Sequence, residues 1–154
     1  MIPIDTASEV SRRHLRLRSA NVSTVVRQCA SLIAAVVAML EPAVPGAANT
    51  ELMTGLAAWA IYRLITRSRS IIPITGDVAW IVAIGAAIPI LATAPEFSAA
   101  VSVPQAIVGV SIATLGVQLP VPWSMTVLAI GTGAYAWGAT ALVGWGSGDR
   151  KSVV

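Results

Sequence analysis

Apolar residues in this chain fall into five runs, each closed by proline, glycine or a charge. The first spans about Val25 to Leu40 and stops at Glu41-Pro42, where a proline and a carboxylate end a helix. The second covers about Leu52 to Thr66 and runs out through Arg63, Arg67 and Arg69. The third, about Val78 to Ala94, is entered through Pro73 and Gly76-Asp77 and left through Pro95-Glu96. The fourth extends from about Ser98 to Leu119, and Leu119-Pro120-Val121-Pro122 makes an uncharged turn into the fifth, from Trp123 to Trp145. Five such runs make five crossings the expected count.

The spacing of charge strengthens that reading. From Phe97 to Gly148 the chain holds no Asp, Glu, Lys, Arg or His. Roughly fifty uncharged residues are enough for two crossings at ~20 residues each. Trp123 and Trp145 stand 22 positions apart, ~33 Å of helix, and are expected to anchor the fifth helix at the two interfaces. Only 11% of residues are charged and 56% are hydrophobic, against ~25% charged in a soluble domain. The expected fold is all-α: a polytopic membrane bundle of about five transmembrane helices with a short N-terminal amphipathic helix. Residues 1–23 form a basic cytoplasmic or interfacial segment, 24–146 the bundle, and 147–154 a short polar tail.

Arg12, Arg13, Arg16 and Arg18 precede the first helix, and Arg63, Arg67 and Arg69 lie between the second and third. The positive-inside rule places these segments, and the N-terminus, in the cytoplasm of a multi-pass plasma-membrane protein. Arg150 and Lys151 break the alternation after the fifth helix. Thr6-Ala7-Ser8-Glu9 has the spacing of a capping box for the N-terminal helix. A cleaved signal peptide, with core Leu32–Leu40 and small residues Gly46-Ala47-Ala48, fits less well because the charged lead-in is long and Arg27 intrudes on the core.

Chemistry is sparse. The one histidine, His14, sits in a basic run and is expected to face solvent or headgroups; the one cysteine, Cys29, is expected to be a small packed residue. No catalytic or metal-ligand constellation emerges, so the expectation is a protein that is not an enzyme, needs no cofactor or metal, and binds no nucleic acid. Charges inside apolar runs are where function is first sought. Arg27 is expected to snorkel to the cytoplasmic headgroups. Asp77 is expected to act as a helix-start carboxylate, with an ion pair to Arg63 or Arg67 and a proton or ligand role as alternatives. Glu41 and Glu96, with Glu51, fall on the expected outer side as a candidate acidic mouth. Gly109 with Ala113, and Ala134 with Gly138, have the small-xxx-small spacing that lets helices approach closely, within a bundle or a dimer. Pro89 and Pro104 are expected to kink their helices or to mark the ends of regular turns.

Taken together, the basic lead-in, Arg27 opening the first helix, the Glu41-Pro42 exit, the segment Ala58-Trp59-Ala60-Ile61-Tyr62-Arg63-Leu64 and the opening Gly76-Asp77-Val78-Ala79 resemble the N-terminal transmembrane region of actinobacterial sensor histidine kinases. The resemblance implies a sensory or anchoring module without kinase activity in these residues, since they hold no phosphoacceptor segment and no ATP-binding domain. It also implies an even helix number, with Arg150 and Lys151 in an external loop before a sixth helix. The leading expectation is a non-catalytic module acting through helix packing and self-association, its partners the lipid bilayer and a second copy or larger membrane proteins. A small accessory subunit of a larger membrane complex is the alternative. A small oligomeric transporter is the third class, with Asp77 its candidate residue.

Overall fold

From Asp5 to Leu40 the sequence contains neither glycine nor proline, and nothing there interrupts a helical ladder. In the computed structural model, which describes residues 4–66 and 70–148, that stretch belongs to one helix, α1 (Ile4–Leu40). The separate N-terminal helix expected from the sequence is therefore the first part of α1. Thr6 lies inside the helix rather than at its cap. At 37 residues α1 is ~55 Å long, and every described side chain from Glu9 to Ser19 is exposed. Arg12, His14 and Arg18 are among them.

The remaining helices are α2 (Ala47–Thr66), α3 (Ile71–Ala86), α4 (Ile88–Leu91), α5 (Ala94–Ser98), α6 (Val103–Gln118) and α7 (Val121–Gly148). α3 starts six residues before Asp77, earlier than its apolar run implies, because Pro73 sits in the first turn, where no backbone donor is needed. The third run does not stay one helix. Pro89 cannot donate to the Gly85 carbonyl four residues back, and the chain breaks at Ala87 into α3 and the short α4. Pro104 and Pro122 both fall in first turns, opening α6 and α7 instead of kinking them. Between α5 and α6, Ala100 takes a left-handed φ of 57°, which reverses the chain toward α6.

Consecutive long helices run antiparallel. α1 packs on α2 and α6, α3 packs on α7 and α6, and α6 also meets α7. Ala35, Met53, Leu56, Ile84, Ile107 and Leu115 form the buried apolar centre. Two pairs of tryptophan and glycine interlock α2 with α3. The Trp80 indole lies over Gly55 and the Trp59 indole over Gly76, positions where a Cβ would collide with the ring. The α3–α7 contact uses the Ala134/Gly138 spacing as expected: Gly85 lies against the Ala134–Tyr135 backbone and Gly138 against the Gly85 carbonyl. Gly109 and Ala113, by contrast, are exposed on α6, with nothing near the place a Gly109 side chain would occupy.

Among the described residues two helices are long and apolar enough to cross a membrane, Arg18–Leu40 and Val121–Gly144, and only 28% and 22% of an 18-residue apolar window of each is buried inside the bundle. Ile72–Ala86 and Val103–Gln118 are apolar but shorter, below the ~20 residues of a perpendicular crossing. Five full-length crossings are thus not what the helix lengths give. Trp123 is exposed in the first turn of α7. Trp145 lies within α7, but its side chain is outside the described residues, as are Arg67, Arg69, Arg150 and Lys151.

Candidate functional site

Among the buried residues of this apolar bundle is a set of polar side chains on four helices. Arg27, Gln28 and Ser31 come from α1, Arg63 from α2, Asp77 from α3 and Ser111 from α6; Arg27 and Arg63 are only 2% and 1% exposed. Their positions are fixed by helix periodicity. Arg27, Ser31, Ala35 and Ala38 repeat every three or four residues along the inward stripe of α1. Arg63 continues the buried stripe of Met53, Leu56 and Ala60 on α2.

Asp77 is the hub. Its Oδ2 accepts from Arg27 Nη2 at 2.5 Å and from Arg63 Nη2 at 2.9 Å. Its Oδ1 accepts from Trp59 Nε1 at 2.9 Å, Gln28 Nε2 at 3.2 Å and Arg63 Nε at 3.2 Å. One carboxylate thus receives donors from α1 and α2 while standing on α3. Gln118, at the end of α6, closes the ring: its Oε1 accepts from Arg27 Nη1 at 3.3 Å, and its Nε2 donates to Thr24 Oγ1 and to the Ala20 carbonyl of α1. The packing of Trp59 over Gly76 brings the indole N–H beside the neighbouring residue, Asp77.

This geometry corrects two expectations. Arg27 does not snorkel outward; it points into the bundle, because a carboxylate is within reach there and its burial without one would be prohibitive. Asp77 is not a helix-start carboxylate, since α3 has already made more than one turn before it. Its pairing with Arg63, held open as an alternative, is present at 2.9 Å. The sequence reading missed Gln28, Trp59 and Gln118. The signal available for the two glutamines was an amide inside or at the end of an apolar run, where an unpaired amide would be costly. Cys29, one residue further along α1, is exposed rather than packed.

At the opposite end of the bundle Glu41 and Glu96 line one cavity of about 180 Å³ together with Asn49, Met53 and Ser102. Glu96 is partly committed, accepting from the Thr93 backbone N–H at 3.3 Å at the start of α5. Glu51 is exposed on α2 and does not line that cavity. The described residues contain no group of three or more His, Cys, Asp or Glu that would hold a metal. Compared with protein-family models, curated proteins and solved structures, the chain matches none.

Proposed function

We propose that this chain is a multi-pass, non-catalytic membrane module of sensory or anchoring type, working through helix packing and self-association. One observation carries the reading: charged side chains are buried within the bundle while many large apolar side chains are exposed on its surface. Arg27, Arg63 and Asp77 are buried, while Ile33, Leu40, Ile65, Val117 and Trp137 are each more than 60% exposed. In water this distribution would cost heavily on both counts; in a bilayer it is the stable one. The antiparallel order of the long helices fits alternate crossings, with the shorter α3 and α6 accommodated by local thinning or by their neighbours.

A charged junction joining α1, α2 and α3, with α6 pinned to Arg27, suits a module that holds helices in a defined arrangement and shifts between packed states as a unit. An arginine placement and hydropathy that resemble those of sensor histidine kinases favour signalling over a purely structural role. Asp77 offers little to a transport mechanism, because both its oxygens are already engaged by protein donors.

The outward stripe Ala106, Gly109, Ala113 and Gly116 of α6 supplies the self-association surface. The test is the oligomeric state of the purified full chain in mild detergent. The wild type is expected to be dimeric and Gly109→Leu monomeric, with unchanged helix content. A strictly monomeric wild type would overturn the self-association reading. If that monomer co-purified at constant ratio with larger membrane proteins, the same stripe would instead serve an accessory subunit.

A further inference from the structure

The polar side chains of the cavity at the end of the bundle away from Asp77 are short of donors. Its charged lining residues are Glu41 and Glu96, and no Lys, Arg or His lines it among the described residues. Glu41 follows the last residue of α1, is exposed, and has no partner for its carboxylate among the described residues. Glu96 has only Oε2 engaged, by the Thr93 N–H, which leaves Oε1 open. Ser102, 5% exposed, donates its hydroxyl proton to Gln105 Oε1 at 2.8 Å and is left with lone pairs. The decisive group is Asn49 on α2, which lines the cavity and is only 4% exposed. Its Nδ2 donates to the Ala38 carbonyl at 3.5 Å, the outer limit for such a bond. Its Oδ1 accepts from nothing among the described residues. A buried amide oxygen in that state is costly unless something in the cavity supplies the donor.

We propose that this cavity binds a small organic cation, a primary ammonium on a short apolar body. An ammonium brings three donors and no acceptor, which suits Asn49 Oδ1 and the two carboxylates. Two formal negative charges on the lining, from Glu41 and Glu96, select a cation. The walls set the body: Met53, Leu91 and Pro104 are buried apolar residues of the same cavity. A volume of about 180 Å³ is a little more than the ~150 Å³ that encloses benzene, so roughly eight non-hydrogen atoms fit. Calcium would need about six to eight oxygens packed around it, and these partly apolar walls do not provide them. Water can satisfy Asn49 Oδ1 but gains nothing from the apolar walls. The binding rests on the cavity alone, which is complete within one chain. That the cation acts as a stimulus rests on the sensory reading above.

The experiment is calorimetric titration of the purified full chain in mild detergent with benzylamine, with benzyl alcohol and benzoate as neutral and anionic analogues of similar size. Benzylamine is expected to bind saturably with Kd on the order of 1 mM. At ten times that concentration it should raise the melting midpoint by about 4 °C. The two analogues should do neither. Glu41→Gln, at an exposed position outside the helices, should raise Kd about tenfold, and Asn49→Ala about fivefold. Should Asn49→Ala not fold, the double variant Glu41→Gln/Glu96→Gln decides, with benzylamine binding expected to vanish. Equal uptake of benzylamine and benzyl alcohol, the mark of partition into detergent or apolar surface, would overturn the proposal. So would undiminished affinity in Glu41→Gln, or binding of calcium chloride in place of benzylamine. A monomeric chain that binds benzylamine would sink self-association and leave this site standing; a dimer that does not bind it would do the reverse.

Discussion

Arg27 and Asp77, fifty positions apart in sequence, meet side chain to side chain at 2.5 Å with both groups 2% exposed. Arg63 reaches the same Oδ2 at 2.9 Å from the other flank. The relationship sets an order of sensitivity. Asp77→Asn leaves two buried guanidiniums facing a neutral amide and should destabilise by about 3–5 kcal/mol. Arg63→Met leaves a neutral Arg27–Asp77 pair and should cost clearly less. Thermal melting of the three proteins in one detergent checks the ranking; Arg63→Met more damaging than Asp77→Asn would refute the charge count.

Gln118 pins the end of α6 to α1 through bonds to Arg27, Thr24 and the Ala20 carbonyl. Gln118→Ala should cost about 1–3 kcal/mol, because Arg27 Nη1 loses its acceptor inside the bundle. Hydrogen exchange should quicken at the last turn of α6 while the α3–α7 contact stays protected. Unchanged exchange there would mean that α6 is held by its apolar face alone.

Gly138 and Gly109 share a sequence pattern but not an environment. A methyl at Gly138 runs into the Gly85 carbonyl, so Gly138→Ala should destabilise by about 1–3 kcal/mol by forcing α3 and α7 apart. Within one chain Gly109 faces open space, so under conditions that keep the chain monomeric Gly109→Ala should be neutral or gain up to about 1 kcal/mol of helix propensity. Paired melting curves distinguish the two, and equal effects would contradict the α3–α7 packing.

Side-specific labelling tests the crossings. In a Cys29→Ala background, single cysteines at Ala43 and Ser98, both exposed at one end of the bundle, should react with an impermeant maleimide from one side of sealed vesicles. Cysteines at Ser70 and Pro120, exposed at the other end, should react only from the opposite side. Labelling of all four from one face would remove the multi-pass arrangement.

Much of the fold was legible along the chain. Glu41-Pro42 marked the end of α1, and the expected loop to Glu51 is shortened because α2 already starts at Ala47. Leu119-Pro120 marked the turn into α7, and Ala134/Gly138 did mark a close helix contact. Boundaries were less legible where a breaker sits in a first turn. Pro73, Pro104 and Pro122 each lie inside the helix they open, since a first-turn residue needs no N–H acceptor four residues back. At Pro89 the same chemistry met a mid-helix position and split the third run.

By itself, then, the sequence determined that these residues form apolar helices in this order, because hydrophobic period and backbone breakers are local properties. It also named Arg27, Arg63 and Asp77 among the charges of interest in or beside the apolar runs. Only the tertiary structure decided what those charges do. Whether Arg27 turns to the headgroups or inward depends on a carboxylate fifty residues away, and no local signal encodes that distance. The same holds for Gly109 and Gly138: identical in pattern, one open and one against a carbonyl, because helix rotation is set by the neighbours each helix packs on.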